Sequence, residues 1–358
     1  MKWVLQHLPY PGDFETKKVL KKLNNAHRAL AELKGVAQSI PRQEILINTL
    51  VLQEAKDSSA VEDIVTTHDE IYKSNLAIER YISPQTKEVQ NYTQALRYGF
   101  EILTNQKGLS LNNILSIQEI LEENKAGFRK VPGTTLKNDL SGEVVYTPPQ
   151  NANTILELMR DFENHFNQSN LSDYDPILKM AILHFQFESI LPFYDGNGRT
   201  GRILNILYLV GEHLLDIPIL YLSRYIIKNK GEYYTRLQHV RDDNDWENWL
   251  LYMITAVEET AKETLVQVAQ MKERMMSMKN ILRNNYHFYS QELLNHLFKL
   301  PYTKIDLLQK ELGISRVTAS NYLNRLAKDK ILSKHKLGKN NYYVNDRLID
   351  VLIPKMEN

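Results

Sequence analysis

Residues 191–202 read Leu-Pro-Phe-Tyr-Asp-Gly-Asn-Gly-Arg-Thr-Gly-Arg, and the fold is decided by what that stretch can do. Gly196, Asn197 and Gly198 leave the backbone free to turn and to bring successive N–H groups to one point. The apolar run that follows (ILNILYLV) has the composition of a buried helix, so a helix begins at Gly198. The first N–H groups of a helix lack intrahelical partners and sit at the positive end of its dipole, so the turn opens onto an anion hole. Arg199 and Arg202 stand three apart on one helix face. Two guanidinium groups there can grip a polyphosphate through charge-assisted bonds. Asp195 supplies the hard oxygen that Mg²⁺ takes when it is shared with phosphates. A glycine-rich turn alone says little. An aspartate, three glycines and two arginines within eight residues say much more.

Outward from this point the sequence is mostly amphipathic helix. Helical patterns cover residues 175–190, 153–167, 111–122 and 88–106, and an earlier one covers 44–55. The cluster Asp57-Ser58-Ser59 has capping chemistry, and a further helix carrying Val61, Glu62 and Ile64 is expected to start there. Residues 127–149 break the helical rule. Turn residues occur at Pro132-Gly133, Asn138-Asp139 and Ser141-Gly142, and Thr134, Thr135, Val144, Val145 and Tyr146 favour strands. A short β-hairpin is expected, and since a lone hairpin is marginal it must pack on the body or receive a partner strand.

Beyond the central helix, residues 261–283 form a Met- and Lys-rich connecting helix whose methionines pack against neighbours. The tail then reads as a winged helix-turn-helix: helix 304–312, a turn at Gly313-Ile314-Ser315, helix 316–328, and strands at 331–335 and 342–344 around Gly338-Lys339-Asn340. Ser315 caps the second helix and leaves Arg316, Thr318, Ser320 and Asn321 on or near its exposed side. Basic residues exceed acidic ones by about five from Pro301 onward, which suits DNA phosphates. The same unit can equally serve dimerisation or domain packing. The fold class is mainly α, a helical core with a hairpin flap plus the C-terminal winged helix. The domains are 1–95, 96–260, 261–292 and 293–358.

Bulk properties exclude several alternatives. The 358 residues suit two or three domains, with 43% hydrophobic and 24% charged residues as in ordinary globular proteins. A net charge of +1 gives no global field for nucleic acid or membrane. The absence of cysteine removes disulfides, thiolate metal sites and cysteine nucleophiles, and it fits a reducing compartment. The N-terminus has no signal-peptide run, and no stretch of about 18 apolar residues occurs. A cytoplasmic protein with no membrane partner is expected.

The run HFQFESILPFYDGNGRTGR at residues 184–202 resembles the signature of the Fic family, HPFxxGNGRxxR with an acidic residue before the first glycine. The preceding hairpin resembles that family's target-binding flap. The resemblance implies transfer of AMP from ATP to a Ser, Thr or Tyr hydroxyl of a target protein or of the chain itself, with pyrophosphate leaving. It implies that Asp195 holds Mg²⁺ and that Gly196, Asn197 and Gly198 bind phosphates through backbone amides, with Thr200 and Gly201 in the same nucleotide site. Arg199 then takes the β-phosphate, Arg202 the γ-phosphate, and Phe193 anchors the loop. Asn229, Tyr233 and Tyr234 fall where the family places adenine, and each is as readily read as a core or surface residue. Thr134, Thr135 and Leu136 form the edge to which an extended target segment adds as a strand.

One residue departs from the signature. The family's histidine, its general base, is Leu191 here, and loss of a positioned base typically costs about 10²–10⁴ in rate. His184 lies roughly 10 Å earlier along the helix and is expected to pair with Glu188 or a buried backbone group. Ser58 and Glu62 also match the family's inhibitory motif [S/T]xxxE[G/N], with Asp63 departing from it. A carboxylate at Glu62 reaching Arg202 would sit where the γ-phosphate belongs. Two functions follow: an adenylyltransferase autoinhibited by Glu62, or a nucleotide-binding, DNA-associated regulator whose chemistry has lapsed at Leu191. Removal of AMP from modified targets also stays open. Phosphocholine or phosphate transfer is disfavoured because both arginines are retained.

Overall fold

The computed structural model describes residues 3–75, 82–137, 142–337 and 340–353. The expected turns at Asn138-Asp139, Ser141 and Gly338-Lys339 lie outside the described residues. Helix α1 (Lys17–Gln38) is capped by Thr16 and buries Val19, Leu23, Ala26, Leu30 and Leu33, one helical stripe. Helix α2 (Gln43–Val61) runs unbroken through Asp57, Ser58 and Ser59, all buried. No helix starts at that cluster, which corrects the sequence reading. Those polar residues sit in the last turns of α2 because neighbouring helices enclose them, and tertiary burial overrides their local capping preference. Short α3 (His68–Asn75) follows.

Helix α4 (Pro84–Gln106) begins with Pro84 in its first turn behind the Ser83 cap, before the residue 88 expected. Helix α5 (Leu111–Glu122) starts in a capping box formed by Ser110 and Asn113. Strands β1 (Leu136–Lys137) and β2 (Val144–Tyr146) pair antiparallel across a register shift. Thr134 and Thr135 precede β1 and are not in the strand. Next come α6 (Ala152–Asn167), α7 (Pro176–Ile190), α8 (Asn197–Gly211), α9 (Ser223–Lys228) and α10 (Lys230–Asp243). Helix α11 (Trp246–Asn285) is 40 residues long, so the segment at 261–283 is the later part of a helix that begins with two buried tryptophans.

The C-terminal part comprises α12 (Gln291–Lys299), β3 (Tyr302–Thr303), α13 (Ile305–Leu312), α14 (Arg316–Lys328), β4 (Ser333–Leu337), β5 (Asn340–Val344) and α15 (Asp346–Leu352). Its strands order β3-β5-β4, so the expected two-stranded wing gains a third, short strand. Helix α1 lies along α11, while α7 and α8 pack on each other, α8 against α4, and α2 between α4 and α9. The C-terminal part closes onto α2 and α3. Gln53 donates to Leu352 O at 2.8 Å, Lys299 meets Glu44 at 3.0 Å, and Tyr302 donates to Asp69 at 2.7 Å. No helix among the described residues is long and apolar enough to cross a membrane.

Candidate active site

Helix α7 enters the site with Pro176 in its first turn and the Asp175 carboxylate accepting from Ile177 N–H at 2.8 Å. It ends at Leu191, whose backbone is left-handed (φ 46°) and whose N–H still bonds Phe187 O. Buried Arg129 fixes this corner. Its Nε donates to Leu191 O at 2.6 Å, its Nη2 to Ile190 O and Pro149 O, and its own N–H to Pro192 O. Tyr146 of β2 donates to Ser189 O at 2.7 Å, which ties the hairpin to the end of α7.

The loop from Phe193 to Asn197 is closed by one side chain. Asn197 Oδ1 accepts from Phe193 N–H at 2.8 Å and Nδ2 donates to Phe193 O at 2.9 Å. Phe193 is fully buried against Phe128 and Phe187. Gly196 adopts φ 77°, which favours glycine, and its N–H donates to Asp195 Oδ1 at 2.7 Å. A side chain at Gly198 would collide with the Glu62 carboxylate, and one at Gly196 with that of Glu122. The first turn of α8 is therefore pressed against two carboxylates, at the place where a helix offers its unpaired N–H groups.

Both arginines are engaged. Arg202, 1% exposed, donates through Nε to Ser58 Oγ at 2.8 Å, and through Nη2 to Ser58 O at 3.0 Å and Glu62 Oε1 at 2.8 Å. Burial opposes its charge, but Glu62 and its other neighbours outweigh that and hold the guanidinium more basic than usual. Arg199 bonds Glu122 Oε1 at 2.8 Å and also pairs with Glu88. Burial pushes Glu122 up to about 7 against the pull of Arg199. Glu188, with a buried oxygen that has no partner, is likewise pushed up to about 7 by burial.

Glu62, Glu88, Glu188, Arg199 and Arg202 line a cavity of about 460 Å³. Among the sequence candidates, Leu191, Asp195, Gly196, Asn197, Gly198, Arg199, Arg202, Tyr233, Tyr234, Glu62 and Leu136 face it. Thr134, Thr135, Thr200, Gly201 and Asn229 are not in its lining. Gly201 faces α7 instead, where a side chain would meet Glu188 and Phe187. Asn229 donates to Tyr225 O at a helix junction. Ser58 acts from behind, through Arg202. His184 does not pair with Glu188. Its Nε2 shares a 2.8 Å hydrogen bond with Tyr233 OH, and burial drives the imidazole down to about 3, so it is neutral and sits behind the cavity wall.

The chain matches three family models: Fic/DOC family N-terminal at residues 20–101, Fic/DOC family at 108–209, and the C-terminal domain of SoFic-like protein adenylyltransferases at 274–348. The chain belongs to the Fic family. Over 105 residues it is 30% identical to a protein adenylyltransferase of Caenorhabditis elegans, covering 29% of this chain and 19% of that protein. A probable protein adenylyltransferase of Aquifex aeolicus is 27% identical over 191 residues, 51% of this chain and 55% of that one. The matched stretches thus span about a fifth to a half of these relatives. A solved Fic family protein from Desulfovibrio desulfuricans shares the fold over 94% of this chain and 98% of its own, with TM-score 0.60 and 19% identity.

In this Fic chain the partners of Arg199, unlike Glu62 at Arg202, were not visible in the sequence. Glu88 and Glu122 come from α4 and α5, and nothing local marks either as facing Arg199. Arg129 and Glu188 were missed for the same reason. Mg²⁺ fits the donors present only as a shared ion. Asp195 is an exposed carboxylate at the cavity, and no group of three acidic or imidazole side chains among the described residues could hold a metal alone. Phosphate and water oxygens would complete its shell, as that ion's chemistry favours.

Proposed function

We propose that this chain is a protein adenylyltransferase, restrained by Glu62 and slow as it stands because of Leu191. The observation that carries the reading is the lock on Arg202: Ser58 and Glu62 hold it in front of the glycine turn of α8. A site whose cation is already capped by a movable carboxylate suits a phosphate that takes the carboxylate's place. ATP enters with its phosphates on the first turn of α8 and on Arg199 and Arg202, and with its base toward Tyr233 and Tyr234. Mg²⁺ at Asp195 would neutralise phosphate charge. The target segment lies along the edge at Leu136, and its hydroxyl oxygen attacks the α-phosphorus. The new P–O bond forms as the bond to pyrophosphate breaks. The hydroxyl proton has no acceptor at Leu191 and must pass to water.

Leu191 favours a second reading, a nucleotide-binding regulator without transfer, with the exposed Arg316 and Asn321 of α14 offered to DNA. Calorimetric titration with Mg-ATP, followed by labelled-ATP transfer, separates the two. Binding by the parent and by Leu191→His, with transfer rising about 10²–10⁴-fold in the variant, is expected for the first reading. Adding Glu62→Gly to Leu191→His should raise transfer further, and equal rates would remove Glu62 from the account. Absence of ATP binding by either protein would overturn both readings.

A further inference from the structure

The two arginines of α8 are capped from different helices, and the caps differ in kind. Glu62, at the end of α2, pairs with Arg202. Arg199, in the first turn of α8, is gripped by two carboxylates, Glu88 of α4 and Glu122 at the end of α5. Glu122 is buried behind the turn, so close that a side chain at Gly196 would overlap it. Burial pushes it up to about 7, which reduces the charge it sets against the guanidinium near neutral pH. Glu88 stands on the open side. It lines the cavity with its side chain 36% exposed, so it can turn into solvent and release Arg199. Its neighbour Lys87 pairs with Glu123, a contact that joins α4 to α5 whether or not Glu88 stays on the arginine.

With both guanidinium groups held, the donors left for a phosphate are backbone ones. The N–H groups of Asn197, Gly198 and Arg199 precede the first bond of α8, Thr200 N–H to Gly196 O at 2.9 Å. One phosphate group matches that set. A second phosphate, joined to the first, next meets the guanidinium of the same turn, and there it faces the charge of Glu88. Like charges on one guanidinium repel, and the repulsion offsets the attraction that Arg199 would otherwise add. We propose, resting on the nucleotide site assigned above, that Glu88 decides how many phosphates this site recognises: by holding Arg199 it makes a nucleoside diphosphate bind no more tightly than the monophosphate.

The test is calorimetric titration of the full chain with AMP and, separately, ADP, with Mg²⁺ in excess, on the parent, on Glu88→Gln and on Glu62→Gly. In the parent the two nucleotides should bind within about threefold of each other. Glu88→Gln should tighten ADP by about tenfold or more, the size of one charge-assisted bond regained, and should move AMP by less than about threefold. The retained AMP isotherm also shows that the variant is folded, and the parent's ratio decides the matter if it is not. Glu62→Gly should leave the ratio of AMP to ADP affinity as it is in the parent, because Arg202 lies one turn further along α8. ADP binding about tenfold or more tighter than AMP in the parent, or a ratio that Glu88→Gln does not move, overturns the role of Glu88 and leaves the nucleotide site standing. A parent that binds neither nucleotide at roughly 10 mM removes the site itself, and the role of Glu88 with it.

Discussion

At residue scale the site turns on Leu191, which holds a left-handed backbone at φ 46°. That region is costly for most side chains and is visited more readily by Asn, Asp and His. The corner is imposed from outside, by Arg129 on the carbonyls of Ile190 and Leu191. A histidine therefore suits this backbone at least as well as leucine, and its ring would face a cavity that is already open. Leu191→His should change unfolding free energy, measured in urea, by less than about 1 kcal/mol. A loss of the size seen for core leucine truncations, about 2.7–5 kcal/mol, would instead make Leu191 a packing residue and not a vacated base position. Much at this scale was legible in the sequence: glycines, arginines and aspartate carry their chemistry within one short run. Of the carboxylates that answer them only Glu62 was, through its motif; Glu88, Glu122 and Glu188 are ordinary helix glutamates until three helices bring them together.

At the scale of elements, the end of α2 sets the lock. Glu62 closes the helix, and Asp63 takes φ 60°, with Ile64 N–H bonding back to Ser59 O. That left-handed step explains why glycine or asparagine would suit position 63, and aspartate is a tolerated third choice. Asp63 also pairs with Lys230 at 2.9 Å, an exposed contact of small worth. Relief of the backbone should outweigh loss of that pair, so Asp63→Gly should stabilise the protein by about 0.5–1 kcal/mol. Thermal unfolding measures it, and a destabilised variant would mean that the Lys230 contact holds the helix end. Element boundaries were readable where caps are local, as at α5 and α14. They were misread at residues 57–59, where burial decides, and at α11, where no breaker separates the tryptophan segment from the methionine segment.

At the scale of the whole molecule, the site's charge balance is unusual for one proposed to receive a polyphosphate. Among the described residues that line the cavity, Glu62, Glu88, Glu188 and Asp195 face Arg199 and Arg202, and Glu122 stands behind Arg199. The fold lowers the resulting repulsion by burying carboxyls, chiefly Glu122 and Glu188, each pushed up to about 7. A carboxyl whose folded pKa lies above its solution value keeps its proton up to about that pH, and a nearby phosphate raises the pKa further. Nucleotide binding near neutral pH should therefore take up protons, and affinity should fall as pH rises above 7, by at most about tenfold per pH unit for each proton. Calorimetry of Mg-ATP binding in buffers of different ionisation enthalpy reads the uptake directly, with Mg²⁺ in excess so that the nucleotide's own titration is suppressed. Glu188→Gln should reduce the uptake while leaving a part due to Glu122. Zero uptake, with affinity flat across neutral pH, would mean that these carboxylates swing out of the site before the phosphates arrive, and the lock at Arg202 would then be one part of a larger opening movement.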